Sequence, residues 1–347
     1  MSARSLSIGI RIPPCLPADQ VVEQTRVAEQ LGFDEAWFPD SQLLWRDVFS
    51  VLTAAAIGTD RIGLGSAVTN LVTRHPSVVA SAARTVAELA PARFTLGVGV
   101  GNSSLAPIGR TPSTQAAMRE GIAMLRALLG GQEWQFAPGV RSRLREPAPG
   151  VPIQMAATGP RNLRLAGEVA DGVLLLSGIS PASLARSMAL IAEGAAAAGR
   201  EPGSVGLTVS AYCHVTDDVA RDARRLKPIC ATIAQNGGGP FLAQAGISVD
   251  VPARVGGIYP DLAHAEDWDA AVQRCSEWVS DEDAERFARA FCLFGTGQQI
   301  LDGLREAQRA GATSVFLQHV GSYDAPGRLM RDVAAEVLPL LDRAPLL

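Results

Sequence analysis

The 347-residue chain is short of charge, lysine, aromatic rings and cysteine pairs, and each shortage excludes a class of protein. Charged residues make up 19% of it, below the usual ~25%. Hydrophobic residues reach 47%, so disorder, collagen-like repeats and disulfide-stapled miniproteins are excluded. Lysine plus arginine is 31 against 35 acids, a net charge of −4. That leaves no basic surplus to follow a phosphate backbone, and a nucleic-acid partner is not expected. Lys227 is the only lysine, a compositional bias toward arginine that says little about function. The five cysteines (Cys15, Cys213, Cys230, Cys275, Cys292) form no CxxC pair and are odd in number. Such usage fits a reducing compartment and offers no zinc pattern. There is no run of ~18 apolar residues, so no membrane span is expected. The start, MSARSLSIGIRIPP, lacks an apolar run long enough for a signal peptide, which makes a cytoplasmic location the expectation.

What is present is a repeated alternation of short apolar runs with amphipathic segments. Strands are expected at 6–12, 35–40, 61–68, 93–100, 151–157, 172–177, 204–215 and 314–320. Helices are expected at 17–31, 47–57, 77–89, 114–129, 160–170, 183–199, 217–235 and 325–341. Eight strands alternating with helices over this length predict a single closed (β/α)8 TIM barrel. A doubly wound sheet usually shows GxGxxG after its first strand, and none stands here. Two stretches break the rhythm. Residues 131–150 read as a hairpin or loop, and 236–294 as an insertion between strands seven and eight. An insertion there lies near the barrel mouth, as a surface helical subdomain, an oligomer contact or a lid over substrate.

Active sites of such barrels form at the C-terminal strand ends. That rule selects Arg11, then Asp40 and Ser41, then Val68, Thr69 and Asn70, then Gly99, Gly101 and Asn102. It goes on to Thr158 and Gly159, Ser177 and Gly178, His214, and finally Gln318 with His319. The set has no Ser-His-Asp order, no HExxH and no carboxylate pair for glycoside hydrolysis. Gly97, Gly99 and Gly101 leave one face of strand four bare, either for tight packing or for a flat ring against the backbone. Thr158-Gly159-Pro160 opens a helix, with free amides suited to a phosphate or to an ordinary cap. Asp40 could cap a loop or accept a hydrogen bond from a bound heterocycle. His75 before Pro76 reads as structural, and His264 offers no reading.

Several stretches then resemble the bacterial-luciferase-like flavin and deazaflavin oxidoreductases, above all the branch of methylenetetrahydromethanopterin reductase. They are GIRIPP (9–14), AEQLGFDEAWFPDSQLLWRD (28–47), RIGLGSAVTNLVTRHPSVVAS (61–81) and RFTLGVGVGNSS (93–104), with PIQMAATGPRNLRLAGEVADGVLL (152–175) and GTGQQILDGLREAQRAGA (295–312). The resemblance implies a barrel that binds coenzyme F420, or alternatively FMN. It implies that Asp40 and Ala67-Val68-Thr69 meet the ring, with Asn70, Gly99 and Gly101 beside them. The phosphate would lie against Ala157, Thr158, Gly159, Pro160 and the Ser177-Gly178 loop. A non-proline cis peptide at Ala67–Val68 and a homodimer through helices 47–57 and 77–90 are further implications.

Asp40, Ser41, Trp45, Asn102 and Arg11 become the catalytic candidates, and here the chain departs from its relatives. Pterin-reducing members carry acids where Arg11 and Asn102 stand. Members that oxidise sugar phosphates or alcohols carry His at Ser41 and Glu at Asn102, although Trp45 resembles their active-site tryptophan. Hydride transfer to an organic, anionic substrate without a dedicated carboxylic acid is the leading expectation. An FMN-dependent monooxygenase and a cofactor-binding protein that has lost catalysis are the alternatives. Arg11 alternates onto one face with Ser7 and Gly9, and a buried guanidinium needs an anion. That anion is either an internal carboxylate, Asp40, or the substrate's own.

Overall fold

The computed structural model describes residues 6–176, 178–321 and 323–342. Eight parallel strands carry it: β1 (Ser7–Arg11), β2 (Glu35–Phe38), β3 (Gly63–Ser66), β4 (Phe94–Gly99), β5 (Ile153–Ala157), β6 (Gly172–Leu175), β7 (Gly206–Val215) and β8 (Ser314–Gln318). Each pairs with the next, β6 pairs with β7, and β8 pairs with β1, so the sheet closes into a barrel. The outer helices are α1 (Ala18–Gln30), α2 (Val48–Gly58), α3 (Pro76–Leu89), α4 (Gln115–Leu129), α5 (Pro160–Val169), α6 (Pro181–Ala197), α7 (Gly297–Arg309) and α8 (Gly327–Glu336). Residues 131–150 hold the expected hairpin, Trp134–Ala137 against Val140–Ser142.

Large rings fill the barrel interior, and glycines make room for them. The indole of Trp37 stacks on Phe316 with centroids 5.6 Å apart. A side chain on Gly65 would come within 2.3 Å of that indole. Trp37, Phe316 and Leu174 form a buried plug on which Ala67, Val68 and Ala156 rest. The residues at the mouth therefore stand on a rigid floor.

The connection between β7 and β8 corrects one assignment and adds a helix. The helical run 217–235, read as the barrel's seventh helix, is broken into Val219–Asp222, Ala223–Leu226 and Lys227–Gln235. Its apolar face packs with Trp268–Cys275 and Asp281–Phe291 in a second core, separate from the barrel's. Lys227 ties this body together, donating to Ser276 Oγ at 2.9 Å and pairing with Asp281 at 2.7 Å. The helix on the barrel is instead α7, which no expectation covered. Ile300, Leu301, Leu304 and Ala307 face inward from it, and Thr296 with Gln299 closes a capping box at its start. Leu293–Gly295 just before it adds a short parallel strand beside β7.

Candidate active site

Strand β3 stops at Ser66, and the peptide Ala67–Val68 that follows is cis, at the bond the resemblance implies. Ser66 holds this bulge to β4, accepting the Gly97 N–H at 2.9 Å and donating to the Gly97 carbonyl at 2.8 Å. The bare face of β4 meets protein rather than open space. A side chain on Gly97 would reach 2.0 Å from the Ser66 carbonyl oxygen, and one on Gly99 would reach 2.6 Å from Val68. Gly101 takes a positive φ of 81° behind Asn70 and Leu105. These glycines let the bulge seat itself, so they back the site more than they line it.

Asp40 is buried at the end of β2, and Thr69 Oγ1 donates to its Oδ2 at 2.7 Å. Its counter-ion is Arg74, which pairs with the same oxygen and also with Asp47 at 2.5 Å. Arg74 is a residue that strand-end reasoning missed. The internal Arg11–Asp40 pair is therefore not formed. Among the described residues no protein donor is bonded to Asp40 Oδ1. Ser41 bonds Ser103 at 2.7 Å, and the Asn70 amide is consumed by Val72, Thr73 and Ser104. Asn102 lies exposed in the loop after β4. Neither Ser41 nor Asn102 reaches the cavity described next.

Between the strand ends and the inserted helices lies a cavity of about 300 Å³. Ala67, Gly178, Ser210 and Phe316 wall it from the barrel side. Ile229, Ile233, Phe241, Phe287, Phe291 and His264 wall it from the insertion. Arg11, Tyr212 and Gln318 stand at its edge and continue into a smaller pocket with Trp45, His319 and Tyr323. The insertion thus supplies the apolar half of the wall, near the barrel mouth as expected. Arg11 has no carboxylate partner among the described residues. Its guanidinium lies over the Trp45 ring at 5.7 Å, and Trp45 stacks on Tyr323 at 5.0 Å. Burial lowers the Arg11 pKa, with Tyr212 and Cys15 offsetting only part of that. The Tyr212 phenol is itself pushed up to about 12 by burial, so it is neutral at physiological pH.

The phosphate candidates form a separate patch. Gly159 is the N-cap of α5 and has no side-chain cap, with Pro160 in the first helical turn. A side chain there would meet nothing within 4 Å, so the space in front of the helix is open. The first-turn amides of Arg161 and Asn162 face no helical acceptor. Ser177 lies outside the described residues, while Gly178 has φ 76° and backs onto Phe291. The other histidines are placed elsewhere. His75 caps α3 through Ser77, and His214 sits 3.4 Å from Asp222, outside the cavity wall. One partly buried carboxyl, Glu35, is raised by desolvation, but it binds Trp37 and Ser314 at the strand starts, far from the mouth.

Comparison with known proteins gives this geometry a context. The family model described as luciferase-like monooxygenase matches residues 6–314. The 5,10-methylenetetrahydromethanopterin reductase of Methanolobus tindarius is 32% identical over 261 residues, covering 73% of this chain and 78% of that protein. The F420-dependent glucose-6-phosphate dehydrogenase of Beutenbergia cavernae is 36% identical over 217 residues, 57% of this chain and 64% of its own. Among solved structures, the coenzyme F420-dependent tetrahydromethanopterin reductase of Methanopyrus kandleri superposes with a TM-score of 0.77 at 25% identity. It covers 97% of this chain and 99% of its own. The chain belongs to the luciferase-like monooxygenase family.

Proposed function

We propose that this chain is a coenzyme F420-dependent oxidoreductase that moves a hydride between the deazaflavin and an organic substrate bearing a carboxylate or similar anion. One observation carries the reading: a single cavity is walled by the Ala67 bulge and by Arg11, which has no carboxylate partner among the described residues. The residues fit the cofactor. Asp40 Oδ1, with no protein donor among the described residues, would accept from a ring N–H beyond the cavity wall, and the bulge at Ala67–Val68 would serve as a backbone shelf. The open N-terminus of α5, with Gly159 uncapped, suits the phosphate. When bound, the deazaflavin supplies a two-electron hydride couple. The protein's own part is to orient the substrate by its anion at Arg11 and to exclude water with the phenylalanines of the insertion. Those rings favour an apolar body behind the anionic head.

Titrating the purified protein with F420 and with FMN tests the cofactor. We expect F420 to bind at least about tenfold more tightly, a difference of about 1.4 kcal/mol. Comparable or reversed affinities would remove the proposal. The same reading includes a homodimer. Helices α2 and α3 leave Ile57 71%, Val78 54% and Leu89 39% exposed, an apolar surface that a second copy would cover. Light scattering at micromolar concentration should give about twice 36.4 kDa, and a monomer at that concentration would sink the idea.

A further inference from the structure

Hydride transfer to a polarised double bond needs a proton as well, and the catalytic candidates Ser41 and Asn102 do not reach the cavity. The remaining groups on its walls can be sorted by chemistry. Arg11 does not give up its proton at physiological pH. Tyr212 holds its own to about pH 12, so it serves as a hydrogen-bond donor rather than an exchanging acid. Ser210, Thr232 and Gln318 do not titrate. Asp40 is outside the wall and paired with Arg74. His264 is different in its geometry.

The inserted loop folds so that Asp261 Oδ1 accepts the backbone N–H groups of Ala263 at 2.9 Å and His264 at 3.0 Å. The same carboxylate takes the His264 ring, with Nδ1 at 2.9 and 3.0 Å from its two oxygens. The ring stands edge-on to Trp45 at 5.9 Å and 70°, and Arg11 lies over the same indole. His264 lines both the main cavity and the smaller pocket. Nε2, on the far side of the ring from Asp261, has no hydrogen-bond partner among the described residues. A carboxylate on Nδ1 sets the tautomer, so the neutral ring keeps its proton there and carries its lone pair on Nε2.

We propose that His264 is a catalytic residue that exchanges a proton with the substrate through Nε2, and that Asp261 is its positioning residue. This rests on the hydride-transfer reading above. In the reducing direction the Nε2–H bond of the imidazolium breaks and its proton goes to the substrate's heteroatom or α-carbon. The adjacent carbon takes the hydride and its two electrons, and the double bond becomes single. The ring is left neutral, with Nδ1–H still donated to Asp261, and solvent returns the proton. Oxidation runs the same transfer backwards, with Nε2 as base. Burial works against ionisation of Asp261, but the hydrogen bond and charge of His264 and the two backbone N–H groups outweigh it and hold the carboxyl below its usual range. An ionised Asp261 accepts Nδ1–H and fixes the orientation of the ring. The other titratable groups on the pockets that His264 lines are Arg11 from β1, Tyr212 from β7, and His319 and Tyr323 after β8.

The test uses the F420-loaded full-length protein with 2-oxohexanoate and trans-2-hexenoate as acceptors. His264→Gln should lower kcat about 100-fold with KM changed less than about threefold. The limb of the kcat–pH profile that belongs to the imidazole should vanish in it and persist in Tyr212→Phe. Added imidazole should restore His264→Ala at least about tenfold, as a loop clamp would not allow. A kcat within about threefold of the parent, or a loss that imidazole does not restore, overturns the proposal. Histidine ring NMR with hexanoate as a probe decides it independently of turnover. The neutral His264 ring should be protonated on Nδ1, and hexanoate should shift its Nε2 resonance, an effect that Asp261→Asn weakens. A ring protonated on Nε2, or one blind to hexanoate, overturns it. If the parent turns over neither acceptor, the hydride-transfer reading of these acceptors fails while the NMR result still decides His264.

Discussion

Replacing Arg11 with methionine should weaken hexanoate binding about 100-fold, raise the KM of an anionic acceptor to match, and leave F420 affinity within about twofold. Hydrogen bonds to charged groups contribute about 1.5–3 kcal/mol each, so losing one or both arms of a bidentate contact easily spans that factor. Methionine keeps most of the aliphatic stem and removes the fork together with its cation–π contact on Trp45. The same substitution should raise the melting temperature. A guanidinium that burial destabilises, with no carboxylate beside it, costs the empty protein stability and regains it only with a bound anion. Opposite signs for affinity and stability mark a binding residue. Calorimetry of the two proteins without ligand, and titration with hexanoate and hexanol, measures both. A fall of several degrees together with lost F420 binding would make Arg11 structural and leave the anionic substrate without support.

The parts of this structure that sequence reading reached share a physical cause, and so do those it did not reach. Strands such as RIGLGSAV and RFTLGVGV are short apolar runs bounded by turns, and their pattern survives any tertiary context. Helix α7 has its cap written plainly in Thr296 and Gln299, but the long insertion before it breaks the strand–helix rhythm that would mark it as a barrel helix. The run 217–235 was read as barrel helix because amphipathicity shows that a face is buried without showing against what. Neighbouring strands make Asp40 one of two candidate partners for Arg11, beside a substrate anion, and the structure does not form that pair. The choice of Arg74 depends on where the turn after the Ala67–Val68 bulge throws its side chain. His264 had no legible role, since its meaning lies in facing Trp45 from a loop with no periodic pattern. Local order is written in neighbours, and a site assembled from distant loops is not.

The pairing at Asp40 sets the largest expected effect on stability. The Asp40 side chain is 2% exposed and that of Arg74 17%, so each is held away from water. Arg74→Met would leave the Asp40 carboxylate buried with Thr69 as its remaining donor. Breaking such a pair by removing one partner costs about 3–5 kcal/mol. Asp40→Asn should cost clearly less, because Arg74 keeps Asp47, and the double variant should recover part of the Arg74→Met loss. The pH dependence has a definite sign. Burial tends to raise the Asp47 pKa, but Ser50 and Arg74 outweigh it and hold the carboxyl below its ordinary value. A depressed acid stabilises the fold above its unfolded pKa of about 3.9, and that contribution fades as pH falls through the folded value. The difference between parent and Arg74→Met should therefore be largest near neutral pH and shrink below about pH 4. Urea unfolding of the three variants at pH 7 and pH 3.5 measures it. A cost under about 1 kcal/mol at pH 7 would mean that water already solvates Asp40. Its Oδ1 would then have no reason to wait for a ring N–H.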